Sequence, residues 1–267
     1  MYYLKFLSEK YLESALKEGA IRIGTINYYR KIEDDTRQDA NEGLGEVIWK
    51  GQKLSAEDHN RIFTFTEGVQ MINDWTIENK GVPLVGSYPN FNVYTFCFSQ
   101  TSSLEDSELE RISGGKDSHY YFIKDLPEFV TILTREIYNA GIDFIKNNKT
   151  DITPELIKKV GVIDTVYAIN YDDSSKARIV TEENVKTFDP TLLHTQDFFQ
   201  KHTSFSHEQE IRIIWTFVIK DENGIKPINI PLAEIEHLDL KTGNLPISKE
   251  PIGNDFQVKI SPLKSLI

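Results

Sequence analysis

The chain has 267 residues, 39% hydrophobic and 27% charged, with one cysteine and a formal net charge of −11. That composition suits one folded domain, 1–267, with an ordinary core. It excludes an intrachain disulfide and a cysteine-built metal cluster. The acidity disfavours non-specific binding to DNA, which needs clustered Lys and Arg. The N-terminus lacks the apolar run of a signal peptide, and no stretch approaches the ~20 apolar residues of a membrane span. A cytoplasmic location without membrane attachment is expected.

Met1–Leu7 reads as a short strand, because Tyr2, Leu4 and Phe6 alternate with Tyr3 and Lys5. Ser8 is the expected N-cap of a helix from Glu9 to Lys17 that Gly19 ends, and Ala20–Gly24 follows as a strand. Asn27–Gly45 is polar and weakly periodic, the pattern of a turn-rich loop. Glu46–Trp49 and Arg61–Phe65 read as hairpin strands, Asn92–Ser99 as a buried strand and His119–Ile123 as another. Ser102–Lys116 reads as a surface loop or frayed helix. Pro127–Asn147 is the clearest helix, with Pro127 at an N1-like position.

Thr165–Tyr171 is a predicted strand and Thr181–Phe199 a mixture of turn and helix. Glu210–Ile219 is a strong strand, ended by an Asn223-Gly224 turn. Ile228, Ile230, Ile235 and Leu238 supply further sheet, and the tail from Pro246 is loosely patterned. Strands and helices do not alternate as βαβ units, which predicts an α+β fold around a mixed or antiparallel sheet.

Common nucleotide, zinc and nucleophile-elbow signatures are absent. Cys97 sits in an aromatic strand and reads as a buried, inert thiol. The strongest chemical signal is Ser204–Trp215. Side chains on a strand alternate, so Ile211, Ile213 and Trp215 share one face while Glu208, Glu210 and Arg212 share the other. Two carboxylates and a guanidinium in a row shift pKa values and grip hydroxyls, or they form a structural ion-pair row. Tyr28, Tyr29 and Arg30 pair aromatic rings with a cation, a set suited to a ring and a phosphate or to a charged surface loop. Lys5 faces the same cleft or lies on an exposed edge. His119, His202 and His207 are acid–base candidates, with His207 beside the glutamate row.

The segment YLKFLSEKYLESALKEGAIRIG, the Asp39, Glu42, Gly43 loop, Cys97-Phe98-Ser99, and Lys201 followed by SFSHEQEIRII together resemble the bacterial domain-of-unknown-function 2971 family. More distantly, the strand, the glycine-ended helix, the second strand and the late Glu-x-Glu strand are similar to ADP-ribosyltransferases, among them toxins of toxin–antitoxin and phage-defence systems. That resemblance implies an ADP-ribosyltransferase-like fold and NAD as substrate. It implies that Glu210 holds the nicotinamide ribose and that Glu208 activates a protein or nucleic-acid acceptor, with Ser204 or Ser206 in support. It further implies that Tyr28 or Tyr29 stacks on nicotinamide, that Arg30 or Lys5 holds the pyrophosphate, and that an antitoxin protein is a possible partner. Two other readings stay open. One is a non-enzymatic binding or sensor module, and the other is a nuclease with magnesium on Asp39, Glu42, Glu208 and Glu210.

Overall fold

The computed structural model describes residues 1–26, 28–29, 44–63, 76–78, 84–89, 93–115, 119–147, 152–172, 177–188, 198–221, 224–227 and 237–259. Its first half runs β1 (Tyr2–Leu7), α1 (Glu9–Glu18), β2 (Ala20–Thr25), β3 (Leu44–Trp49), β4 (Lys53–Ser55), α2 (Ala56–Phe63), β5 (Thr76–Glu78), β6 (Leu84–Pro89), β7 (Tyr94–Thr101), α3 (Asp106–Ser113) and β8 (His119–Ile123). The second half runs α4 (Leu126–Asn147), α5 (Pro154–Ile157), β9 (Val160–Ala168), β10 (Asn170–Tyr171), β11 (Ala177–Val180), β12 (Gln200–Lys201), β13 (Glu210–Asp221), β14 (Gly224–Pro227), β15 (His237–Lys241) and β16 (Ile247–Ser248). The fold is mixed α and β around a mostly antiparallel sheet.

Nine strands form the main sheet, and each of its pairings is antiparallel. β13 is central, held by β7 on one side and β9 on the other. The opposite edge of β7 is shared. β1 pairs with it at Ser99–Thr101 and β2 at Tyr94–Thr95, so Phe96–Phe98 have register partners on neither strand. β1 and β2 thus diverge from one strand, with α1 joining them. Ser8 has the extended backbone of an N-cap without a side-chain capping bond, and Gly19 ends α1 in the left-handed conformation at φ 61°.

One sheet face carries Tyr3, Phe96, Phe98, Ile211, Ile213 and Trp215, packed against α1 and α4. The 22-residue α4 buries Phe129, Leu133, Ile137 and Ile145 at helical spacing. It can approach closely because Gly141 lies against the Phe217 ring, where any Cβ would clash. Burying such side chains stabilises the fold by roughly 1.5–3 kcal/mol each. The other face is covered by two smaller clusters, Leu4 with Leu109 and Phe122, and Ile214 with Ile169, Phe198 and Phe199.

Several expectations need correction. The strand expected at Arg61–Phe65 begins in helix α2, and β3 instead pairs with β6 and, in parallel, with β11. Ser55 explains the helix. Its hydroxyl accepts the Asp58 amide at 3.1 Å and donates to the Asp58 carboxylate at 2.8 Å, a capping arrangement written in the sequence as Ser-x-x-Asp. Ser102–Lys116 contains a true helix, α3, ended by Gly114. The strand expected at Glu208 begins at Glu210, because Thr203–Glu208 is a 3-10 turn. Arg30, Asp39, Glu42 and Gly43, with most of the expected Asn27–Gly45 loop, lie outside the described residues, as do Ile228, Ile230 and Ile235.

Candidate functional site

Two groups of polar side chains stand out, and they occupy different places on the sheet. The first is at the start of β13. Arg212 is fully buried there, Lys201 is 4% exposed and Glu210 is 6% exposed. Arg212 donates through Nε (2.9 Å) and Nη2 (2.6 Å) to Oε1 of Glu210, and through Nη1 to the Phe198 carbonyl at 2.6 Å. Lys201 Nζ lies 2.8 Å from Oε2 of Glu210 and 3.0 Å from Oε2 of Glu208. Parallel pairing of Tyr171 with Lys201 brings the lysine in, and the Tyr171 hydroxyl accepts the Glu210 amide at 2.9 Å. The sequence row of three is therefore a quartet of two anions and two cations.

Glu208 and Glu210 meet for a reason that strand periodicity does not supply. Gln209 between them has φ 45°, the left-handed conformation, which costs a non-glycine residue about 1 kcal/mol. That kink turns the chain from the 3-10 turn into β13 and leaves both carboxylates on Lys201. Burial works against ionisation of Glu210, but Arg212 and Lys201 outweigh it and hold the carboxyl well below the usual carboxylate range. The Cys97 thiol also bonds this carboxylate, so Cys97 is half-buried against a charge instead of sealed in apolar core. Burial pushes the Glu208 carboxyl up, Lys201 opposes the shift, and the Glu210 charge adds to it. Burial, then the Glu210 charge, raises the Tyr171 phenol.

The second group lines a cleft of about 360 Å³ in the divergence of β1 and β2. Lys5, Tyr11, Arg22, Tyr28, Tyr29 and Tyr121 contribute to its walls, with Phe96 at its base. Lys5 Nζ donates to the Cys97 carbonyl at 2.7 Å, filling the place of a missing strand partner, and lies 5.0 Å from the Phe96 ring centre. No carboxylate of a described residue pairs with it. Tyr28 and Tyr29 stand edge to face, with ring centres 5.6 Å apart. Both rings cover Gly24, where a Cβ would come within 2.7 Å of each. Arg22 at the rim bonds both oxygens of Asp239 on β15, at 2.7 and 3.2 Å, touches the Tyr28 hydroxyl and lies 5.9 Å from the Tyr11 ring.

The expected site residues are thus divided. Lys5, Tyr28 and Tyr29 converge on the cleft, whereas Glu208 and Glu210 do not line it. Register gives the physical reason. Leu4 pairs with Ser99 and Ser99 with Glu210, which puts those three on one face and Lys5 on the other. Ser204 and Ser206 are exposed on the 3-10 turn, away from the cleft, and the Ser204 hydroxyl meets His202 Nδ1 at 2.9 Å. His207 Nδ1 faces the Ser204 carbonyl at 3.1 Å. Arg30 lies outside the described residues.

Sequence reading missed Arg22, Tyr11, Tyr121 and Asp239, and gave Lys201 no role. Only the Tyr11 and Arg22 polar positions beside apolar ones carried a signal, and pairing of β2 with β15 across more than 200 residues carried none. For the magnesium reading, no group of three or more His, Cys, Asp or Glu among the described residues could hold a metal, and Asp39 and Glu42 lie outside them. No described helix is long and apolar enough to cross a membrane. No family model, curated protein or solved structure matches the chain.

Proposed function

We propose that the protein binds an anionic nucleotide in the cleft between β1 and β2, with NAD as the expected ligand. The observation that carries this is Lys5, a half-buried ammonium among tyrosine rings with no carboxylate from the described residues beside it. A cation removed from water without a counter-ion is costly, and an anionic group supplied by a ligand relieves that cost. The rings of Tyr28, Tyr29 and Tyr11 offer flat apolar surface for a base or nicotinamide. The cavity volume falls within the usual range for small-molecule sites. Titration calorimetry with NAD tests the proposal. Binding is expected, and Lys5→Met is expected to weaken it roughly tenfold, the scale of one charged hydrogen bond. No heat and no thermal shift with NAD overturns it.

A second reading, ADP-ribosyl transfer in an ADP-ribosyltransferase-like fold, is favoured by Glu208. Its side chain is 21% exposed and shares Lys201 with Glu210. A fixed carboxylate beside a ribose stabilises the positive charge that develops as the glycosidic bond breaks. On this reading NAD lies at the start of β13 and not in the cleft, with Glu208 within its reach and Glu210 holding Lys201. The acceptor is a protein or nucleic acid, and the role is that of a toxin or phage-defence effector. Glu208→Gln is then expected to abolish labelling of cell extract by labelled NAD. Labelling at the wild-type level by that variant removes Glu208 from the chemistry.

A further inference from the structure

Among the described residues the cleft holds two cations, in different states. Lys5 at the floor has the Cys97 carbonyl and the Phe96 ring as partners. Arg22 at the rim is held by Asp239 through Nε and Nη2, two of its three nitrogens, and the other neighbour of Asp239 is His237 Nε2 at 3.5 Å. The hydrogen bonds to Asp239 push the Arg22 guanidinium further toward its charged form, and its Tyr28 contact adds to them. The centre of the Tyr28 ring is 5.0 Å from that of His237. Arg22 therefore reaches both Tyr11 and Tyr28 on the two walls, while its charge is already answered from β15.

We infer that Asp239 sets the charge selectivity of the cleft by holding Arg22, so that the site takes a ligand with a flat ring and bridging or single phosphate seated at Lys5, as in NAD or AMP, in preference to one that sends a further terminal phosphate to the rim. This rests on the nucleotide reading above and adds a residue from a strand that lines no wall of the cleft. A second phosphate reaching the rim meets a neutralised guanidinium and the Asp239 carboxylate behind it. Like charge opposes it, and the fork of Nε and Nη2 that would grip its oxygens is already taken by the carboxylate. Removing the Asp239 charge frees a guanidinium whose fork geometry fits phosphate oxygens.

The test is calorimetric titration of the full chain with AMP and with ADP, in the wild type, Asp239→Asn and Asp239→Glu. The wild type is expected to bind AMP at least as tightly as ADP. In Asp239→Asn, ADP is expected to gain on AMP by roughly two- to fivefold, the scale of one partly exposed ion pair. Asp239→Glu keeps the charge and is expected to keep the wild-type ratio, which a merely structural role of the aspartate would not require. An unchanged AMP-to-ADP ratio in Asp239→Asn overturns the inference and leaves nucleotide binding standing. Failure of the wild type to bind AMP, ADP and NAD overturns both.

Discussion

The start of β13 and the cleft between β1 and β2 each draw charge into the protein, but they settle it differently. At β13 two carboxylates and two cations answer one another within 2.6–3.0 Å, and a backbone carbonyl and a phenol take up further bonds. In the cleft Lys5 has a carbonyl and a ring, and no carboxylate of a described residue. A closed set of charges holds a fold together, because each member is needed by the others. An open one leaves affinity to be supplied from outside. Glu210 draws attention in the sequence, yet it belongs to the closed set. Lys5 is the plainer residue there and belongs to the open one.

Three experiments bear on that contrast. The largest effect is expected from Glu210→Gln. Stripping one anion from a buried pair costs about 3–5 kcal/mol, because it strands Arg212 and Lys201. A urea unfolding midpoint reads this, and a variant as stable as the wild type would remove Glu210 from the architecture. The same substitution is a poor probe of catalysis, since lost stability and lost chemistry look alike. Lys5→Met comes next. It is expected to lower stability by about 1–2 kcal/mol, less than Glu210→Gln, while costing NAD affinity. A large loss of stability would merge the two regions into one.

The smallest effect is in the pH dependence. The folded-state pKa of Glu210 is lowered, so its contribution is full above the ordinary carboxylate value of about 4.3 and is lost as the pH falls toward the lowered value. That of Glu208 is raised, so its contribution is full below the ordinary value and is lost as the pH rises through the folded one. Glu208→Gln removes only the second, and its stability relative to the wild type is expected to rise between pH 4 and 7. Chemical unfolding at several pH values measures it, and a flat difference would count against the burial of the Glu208 carboxyl beside the Glu210 charge.

Local signals located much of the fold. Alternation found β1, the Gly19 stop found the end of α1, and the apolar spacing from Phe129 to Ile145 found α4. The Ser55 cap was also legible but was passed over in favour of a strand. The site was half legible. Periodicity brought Glu208 and Glu210 together correctly, although the cause is the backbone turn at Gln209, which no residue pattern announces. Tyr28 and Tyr29 were found as an aromatic pair beside a cation, and the described cations that share their cleft are Lys5 of β1 and Arg22 of β2, the second touching the Tyr28 hydroxyl. Which side of the sheet each group faces depends on the register of Leu4, Ser99 and Glu210. Those pairings join segments roughly 100 residues apart, so they exist only once the chain has folded.

The sharing of β7 has a mechanical consequence. β1 carries β8 and β16 with it, and β2 carries β15, so the two halves of this side of the sheet are leaves hinged on a single strand. Between the leaves the Lys5 side chain does the work of a stitch at the Cys97 carbonyl. A guest in the cleft touches both leaves at once and acts as a rivet, stiffening a seam that strand pairing leaves unsewn.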